Sequence, residues 1–246
     1  MEPTPPCPCI AVMPVYNEQD CVEKVALEWL ACMETIGGRL LIVDDGSRDR
    51  TPAILQRLAQ QQPSLALLTQ LNAGHGAAVL AGYRRALGEG CEWVFQVDSD
   101  GEMPAALFQQ IWRARTSAPF LLGARVNRGG HPLRLGLSTI HRHLLRAVFG
   151  VTLRDPNIPF RLMRAAELRQ LLNTLPDGLF APNVFLSLMA ARRRWLAYGP
   201  DVPLAPRAGG IPSIRGWRTA QIAARCTREL LGFRLNTWPR FSRNSS

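Results

Sequence analysis

The feature that most constrains this chain is a repeated alternation of short apolar runs with helix-length amphipathic segments. Ile10–Val15, Leu40–Val43, Leu65–Leu68, Glu92–Val97 and Phe120–Leu122 read as strands. Between the first two, apolar Val22, Val25, Leu27, Trp29 and Leu30 suit a helix from Glu18 to about Ile36, stopped by Gly37-Gly38. Thr51-Pro52 opens the next helix, with Thr as cap and Pro at the first helical position. Further helices are expected at Gly76–Leu87 and from Pro104 to about Arg115. Near-continuous apolar strands alternating with helices predict an α/β fold, a mainly parallel sheet covered on both faces. Ligands of such sheets bind at the carboxyl ends of the strands.

After Leu122 the pattern loosens. Leu133–Phe149 reads as a basic amphipathic helix, with Leu137, Ile140, Leu144, Leu145 and Val148 on one side and Arg134, Arg142 and Arg146 on the other. Residues 182–193 suit a helix, Trp195–Val202 a late strand, and Gly216–Leu231 a final basic amphipathic helix. The chain has 246 residues, 47% of them hydrophobic, which is enough for one large core. With no internal repeat and no linker, one domain is expected over 10–236. Its nucleotide-sugar half is 10–125 and its acceptor half 126–236. A disordered tail is expected at 1–9 and a second tail at 237–246.

The net charge of +10 is unevenly placed. Residues 1–102 carry 7 Lys and Arg against 14 Asp and Glu, whereas residues 103–246 carry 22 against 5. An acidic first half suits a metal, and a basic second half suits phosphate groups or an anionic membrane surface. A nucleic-acid-binding protein would also be basic, but the second half lacks interleaved aromatics, a helix-turn-helix and a zinc module. The six cysteines lack zinc-site spacing and read as free thiols of a reducing compartment. The start MEPTPPCPC shows no signal peptide, and no stretch approaches the roughly 20 apolar residues of a spanning helix. The expectation is a cytoplasmic protein, soluble or peripheral at the inner face of the membrane.

Three strand ends carry acidic or polar clusters: Pro14-Val15-Tyr16-Asn17-Glu18, Val43-Asp44-Asp45-Gly46-Ser47, and Val97-Asp98-Ser99-Asp100-Gly101-Glu102. Neighbouring parallel strands would bring these carboxylates to one crevice, where their repulsion calls for a divalent cation or for donors from a base and ribose. Asp98 and Asp100 can reach one hard cation, Mg2+ or Mn2+, with Glu102 as a third oxygen ligand. Such a cation typically neutralises a diphosphate leaving group. Asp and Gly in these positions also suit plain turns. In the second cluster an Asp can accept hydrogen bonds from a nucleobase edge, and Tyr16 can pack on the base. Asn72-Ala73-Gly74-His75-Gly76 opens a helix whose N-terminus could approach a phosphate, although tight packing also explains its small residues.

The order Pro-Val-Tyr-Asn-Glu, Val-Asp-Asp-Gly-Ser, Asn-x-Gly-x-Gly and Asp-x-Asp resembles the family 2 glycosyltransferases over residues 10 to about 125. The resemblance implies the GT-A (Rossmann-like) fold, a nucleotide-diphosphate sugar donor (UDP- or GDP-linked) and a divalent metal. It assigns Pro14, Tyr16, Glu18 and Asp45 to the nucleotide, together with Val43, Asn72, Gly76 and Ser99. Asp98 and Asp100 would hold metal and diphosphate. Gly123-Ala124-Arg125, Pro132-Leu133-Arg134, Ser138 and Asp155 to Arg161 further resemble the polyprenyl-phosphate branch, in which Glu102 here stands for a Gln. That likeness implies that Arg125, Arg134 and Ser138 hold an acceptor phosphate and that Arg207 contacts donor phosphates.

Asp100, Asp155 and Arg125 are the candidates for catalysis. Asp155 could be a base for a hydroxyl acceptor, could orient Arg161 or the metal shell, or could form an Asp-Pro turn. The implied activity is inverting transfer of a sugar to polyprenyl phosphate at a membrane surface, or to a soluble hydroxyl acceptor. A nucleotidyltransferase is the competing enzyme class, but a Gly-rich, Lys- or Arg-containing loop would then follow the first strand.

Overall fold

A computed structural model of the chain describes residues 7–126, 145–176, 178–205, 218–236 and 238. Seven strands form one sheet: β1 (Cys9–Val15), β2 (Arg39–Asp44), β3 (Leu65–Thr69), β4 (Trp93–Gln96), β5 (Phe120–Val126), β6 (Arg161–Arg164) and β7 (Leu196–Pro203). Their order is β3-β2-β1-β4-β6-β5-β7. All pairings are parallel except those of β6, which runs antiparallel to both β4 and β5. The helices are α1 (Val22–Glu34), α2 (Thr51–Gln61), α3 (His75–Gly88), α4 (Phe108–Arg113), α5 (145–149), α6 (Ala165–Leu172), α7 (Pro182–Arg192) and α8 (Arg218–Asn236).

Two-residue alternation sorts the central strands between two cores. Ile10 and Val12 of β1 and Leu41 and Val43 of β2 face α3, α6, α7 and α8. Cys9, Ala11, Met13, Leu40 and Ile42 face α1, α2 and α4. Both faces are covered, which is why these strands read as unbroken apolar runs. On the second face Phe95 packs edge-on against Phe108 and Phe160 at 5.0 Å, and Trp29 lies 5.3 Å from Phe95. Each such pair adds about 0.5–1.5 kcal/mol beyond its area. On the first face α3 lies directly on the sheet, because a Cβ at Gly82 would stand 2.3 Å from Val12 Cγ1.

The expected sheet is present, with one strand more than the sequence suggested: β6 slots between β4 and β5, and α6 follows it. The helix expected from Pro104 is broken into two 3-10 turns flanking the six residues of α4. Helix α1 begins at Val22 instead of Glu18, because residues 16–21 form a hydrogen-bonded loop with Asn17 at φ 53°. Most of the expected Leu133–Phe149 helix lies outside the described residues, of which 145–149 are helical. The final helix is α8, reaching Asn236.

Candidate active site

The sheet order places the carboxyl ends of β2, β1 and β4 side by side, so the three acidic loops are neighbours. Pro14 helps to open the space between them. Pro14 pairs with Val43 of β2, but β4 accompanies β1 only as far as Val12. Its missing N–H therefore falls where β4 has already ended, a position that a central strand tolerates. The loop after β1 is buttoned to the loop after β2. The Asn17 amide donates to Ser47 Oγ at 2.9 Å, Arg48 N to Asn17 Oδ1 at 2.8 Å and Glu18 N to Thr51 Oγ1 at 2.9 Å. Tyr16 is left 41% exposed at the mouth, and the Cys21 thiol lies 3.3 Å from Glu18 Oε2.

Asp45 is buried and faces inward. Its Oδ1 accepts from Ala73 N at 2.9 Å and Gln70 Nε2 at 2.7 Å. Its Oδ2 accepts from Gly74 N at 2.8 Å and Asn72 Nδ2 at 3.3 Å. Four donors fill the lone pairs of a carboxylate. Asp45 in this conformation organises the 70–74 loop. Asn72 is one of its clamps. The Val43 side chain is fully buried under α3, with Cγ2 at 3.0 Å from where a Gly82 Cβ would be. Gly76 is small because a Cβ there would stand 2.4 Å from the Phe180 carbonyl oxygen, so packing against the 179–182 loop explains it.

At the end of β4, Asp98 keeps part of its carboxylate exposed. Gln96 Nε2 donates to its Oδ1 at 3.1 Å, and His75 Nε2 lies 3.7 Å away. Burial pushes the Asp98 carboxyl up and Asp100 adds to this, while His75, Arg125 and Arg161 pull it back. Asp100 turns Oδ1 onto the Glu102 amide at 3.0 Å, and Ser99 is buried with its carbonyl facing the Cys21 thiol. Among the described residues no three Asp, Glu, His or Cys side chains form a metal cage. Asp98, Asp100 and Glu102 thus form an open set, with Asp100 Oδ1 engaged in its own turn. An open set of hard carboxylate oxygens fits a Mg2+ or Mn2+ ion that takes its remaining ligands from phosphates and water.

Arg125 stands at the far end of β5, just beyond the point where the register against β7 slips between Leu122 and Ala124. Such a bulge re-aims the side chains that follow it. Its guanidinium meets Asp155 fork to fork, Nε to Oδ2 at 2.6 Å and Nη2 to Oδ1 at 3.0 Å. Burial alone would lower the Arg125 guanidinium, but the Asp155 carboxylate outweighs it and holds it above its ordinary value. Asp155 therefore holds Arg125. Arg161 is wholly buried and donates to the carbonyls of Pro156, Ile158 and Asn183 and to Ser187 Oγ. Arg134, Ser138 and Arg207 lie outside the described residues.

Sequence reasoning missed a buried polar group behind Asp98: Gln96, Tyr83 and Asn183, linked by hydrogen bonds of 2.8–3.2 Å. A lone Gln inside the apolar run Trp93–Val97 was the available signal.

Among curated proteins, the undecaprenyl-phosphate 4-deoxy-4-formamido-L-arabinose transferase of Edwardsiella ictaluri is 27% identical over 176 residues, covering 70% of this chain and 53% of that protein. Its counterpart in Pseudomonas syringae pv. syringae is also 27% identical over 176 residues, covering 70% and 51%. The chain spans about half the length of the curated relatives it matches. Among solved structures, glucosyl-3-phosphoglycerate synthase from Mycobacterium tuberculosis, in complex with Mn2+, uridine diphosphate and phosphoglyceric acid, superposes with a TM-score of 0.66 at 18% identity, covering 93% of this chain and 78% of that one. That likeness shows a shared fold. The model of Glycosyl transferase family 2 matches residues 10–178, well over half of the sequence, and the chain belongs to that family.

Proposed function

We propose that this chain moves a sugar from a uridine-diphosphate sugar onto a phosphate oxyanion, by a single displacement that inverts the anomeric carbon. The carrying observation is the Arg125–Asp155 pair. Asp155 was the candidate base, and both of its oxygens are engaged by Arg125. A hydroxyl acceptor needs a base, whereas a phosphate arrives ionised and needs none. Arg125, held charged by Asp155, supplies positive charge to such an acceptor. The acceptor oxygen attacks the anomeric carbon as the bond to the diphosphate breaks, and its electron pair leaves on uridine diphosphate.

The donor reading is supported by the mycobacterial synthase, whose structure holds Mn2+ and uridine diphosphate. Asp98, with Asp100 and Glu102 beside it, would hold Mg2+ or Mn2+, which would neutralise charge on the departing diphosphate. Exposure of Tyr16 at the crevice mouth supports its reading as the residue that packs on the base. The acceptor reading, polyprenyl phosphate, is supported by the names of the curated relatives and by the resemblance that assigns Arg134 and Ser138 to it, with Arg207 on the donor phosphates. Among the described residues no helix is long and apolar enough to cross a membrane. Contact with a membrane surface is supported by α8, which buries Leu230 and Phe233 and leaves Leu231 and Leu235 exposed on an Arg-bearing helix.

The test incubates the protein and Mn2+ with a panel of UDP- and GDP-sugars, with and without a short polyprenyl phosphate, and reads released nucleoside diphosphate. Release that needs one UDP-sugar and the lipid phosphate is expected. Release with a soluble hydroxyl acceptor and indifference to the lipid would overturn the phosphate-acceptor reading. A panel without turnover or donor binding would overturn the donor reading as well.

A further inference from the structure

The polar group behind Asp98 is expensive. Gln96 and Tyr83 are fully buried and Asn183 is 3% exposed, on the face of the sheet whose core is otherwise built from apolar residues such as Val79, Val94, Val184 and Leu186. Polar groups buried without partners are costly, and apolar residues of the same shape would serve folding as well or better. These three side chains satisfy one another in a single direction. The Tyr83 hydroxyl donates to Asn183 Oδ1 at 2.9 Å, Asn183 Nδ2 to Gln96 Oε1 at 2.8 Å, and Gln96 Nε2 to Asp98 Oδ1 at 3.1 Å. The phenol also lies 3.2 Å from Gln96 Oε1, but its one proton goes to the closer acceptor. Reversing the Gln96 amide would set its oxygen against the Asp98 carboxylate and its NH2 against that of Asn183, so only one orientation satisfies every member. Such chains polarise cooperatively, and this one ends on the carboxylate.

We propose that Tyr83, Asn183 and Gln96 form a buried relay of positioning residues that fixes the Asp98 carboxylate, occupying one lone pair of Oδ1 so that its other oxygen faces the crevice for the cation and diphosphate of the donor. The inference rests on the donor reading above. Three elements converge to build the relay: α3 supplies Tyr83, the first turn of α7 supplies Asn183, and β4 supplies Gln96. Asn183 is itself anchored through its backbone carbonyl, which accepts from Arg161 Nη1 at 3.1 Å and Ser187 Oγ at 2.8 Å. Burial pushes the Tyr83 phenol up, so the head of the relay keeps its proton. The arrangement matches the outer-sphere hydrogen bonds that orient metal-binding side chains in other proteins.

The test measures Mn2+-dependent UDP binding by calorimetry for the parent, Gln96→Met, Asn183→Leu and Tyr83→Phe, with Leu55→Ala in α2 as a core-destabilised control. Loss of an outer-sphere partner typically weakens metal affinity about 10–100-fold. Gln96→Met is expected in that range, Asn183→Leu less affected, and Tyr83→Phe weakened by about threefold, the size of one neutral hydrogen bond. In turnover, KM for the donor should rise more than kcat falls. Leu55→Ala should lower the melting temperature without changing Mn2+–UDP affinity. Parent-like affinity in the folded relay variants, or losses that merely track melting temperature as in Leu55→Ala, would overturn the relay alone. If the larger substitutions fail to fold, unchanged affinity in Tyr83→Phe overturns it. Absence of Mn2+–UDP binding by the parent would overturn the donor reading and the relay with it.

Discussion

Arg125 and Asp155, thirty residues apart, meet as a two-pronged ion pair of 2.6 and 3.0 Å with the carboxylate almost wholly buried. The geometry makes Asp155 a holder of Arg125. Asp155→Asn is therefore expected to raise KM for the acceptor strongly while leaving the acid limb of the pH–rate profile in place. A general base would show the opposite, loss of that limb. The substitution should also cost about 2–3 kcal/mol of stability, below the ~3–5 of fully buried pairs because Arg125 is a quarter exposed. Chemical denaturation gives the stability, and initial rates between pH 5 and 9 give the profile.

Asp98→Asn keeps the shape of the side chain and still accepts from Gln96, but it removes the charge that attracts a cation. It is expected to abolish Mn2+-dependent UDP binding and transfer while folding normally by circular dichroism. Chelation of the parent with EDTA should have the same effect and be reversed by excess Mn2+. Full turnover by Asp98→Asn would sink the assignment of Asp98 to the metal and diphosphate.

Gly76→Ala tests the seam between α3 and the 179–182 loop. The new methyl would meet two carbonyl oxygens, of Phe180 at 2.4 Å and Leu179 at 2.7 Å, and backbone cannot swing aside as a flexible side chain can. Overpacking of this kind costs roughly 1–3 kcal/mol, or a drop of about 2–10 °C in melting temperature for a chain of this size. A melting temperature equal to the parent's would show that the loop yields freely.

How much of this was legible beforehand follows from the range over which each signal acts. The strands of the first half announce themselves, because both faces of a parallel sheet are buried and their residues are apolar in sequence. Strand β6 is Arg161-Leu162-Met163-Arg164, with only two apolar residues between two cations; it is a strand because β4 and β5 flank it, which no local pattern encodes. The crevice was legible because parallel topology alone brings strand ends together. The inward turn of Asp45 was not, since its four donors come from residues 70 to 74 across a crossover. Gln96 and Asn183, 87 positions apart, become a pair only when α7 packs on the sheet.

The cysteines invite a test of reactivity. Burial pushes the Cys91 thiol up to about 12 and those of Cys32 and Cys226 up to about 11, and it holds that of Cys9 well above its ordinary value. A thiol with a raised pKa stays protonated at neutral pH, and the thiolate is the nucleophile. Alkylation of these four by iodoacetamide at pH 7.5 is expected to be far slower than for a free thiol and to accelerate only on unfolding in urea. Rapid labelling of Cys91 in the folded protein, read by peptide mass, would contradict the burial that sets its pKa.

Asp45→Asn probes the carboxylate that gathers the 70–74 loop. An amide offers one oxygen with two lone pairs where the carboxylate offered four, and its NH2 would be thrust toward donors. At least two of Ala73 N, Gly74 N, Gln70 Nε2 and Asn72 Nδ2 then lose their partner, at about 1–3 kcal/mol for each left dry. The loop also sets the start of α3, where His75 stands 3.7 Å from Asp98. The substitution should therefore weaken donor binding as well as stability, through a loop 25 or more residues away in sequence. Hydrogen exchange reads the cause directly: the amides of Ala73 and Gly74 are expected to lose protection in Asp45→Asn, whereas those of β2 keep it. Intact protection at both amides with an unchanged melting temperature would show that the loop is held by something other than Asp45.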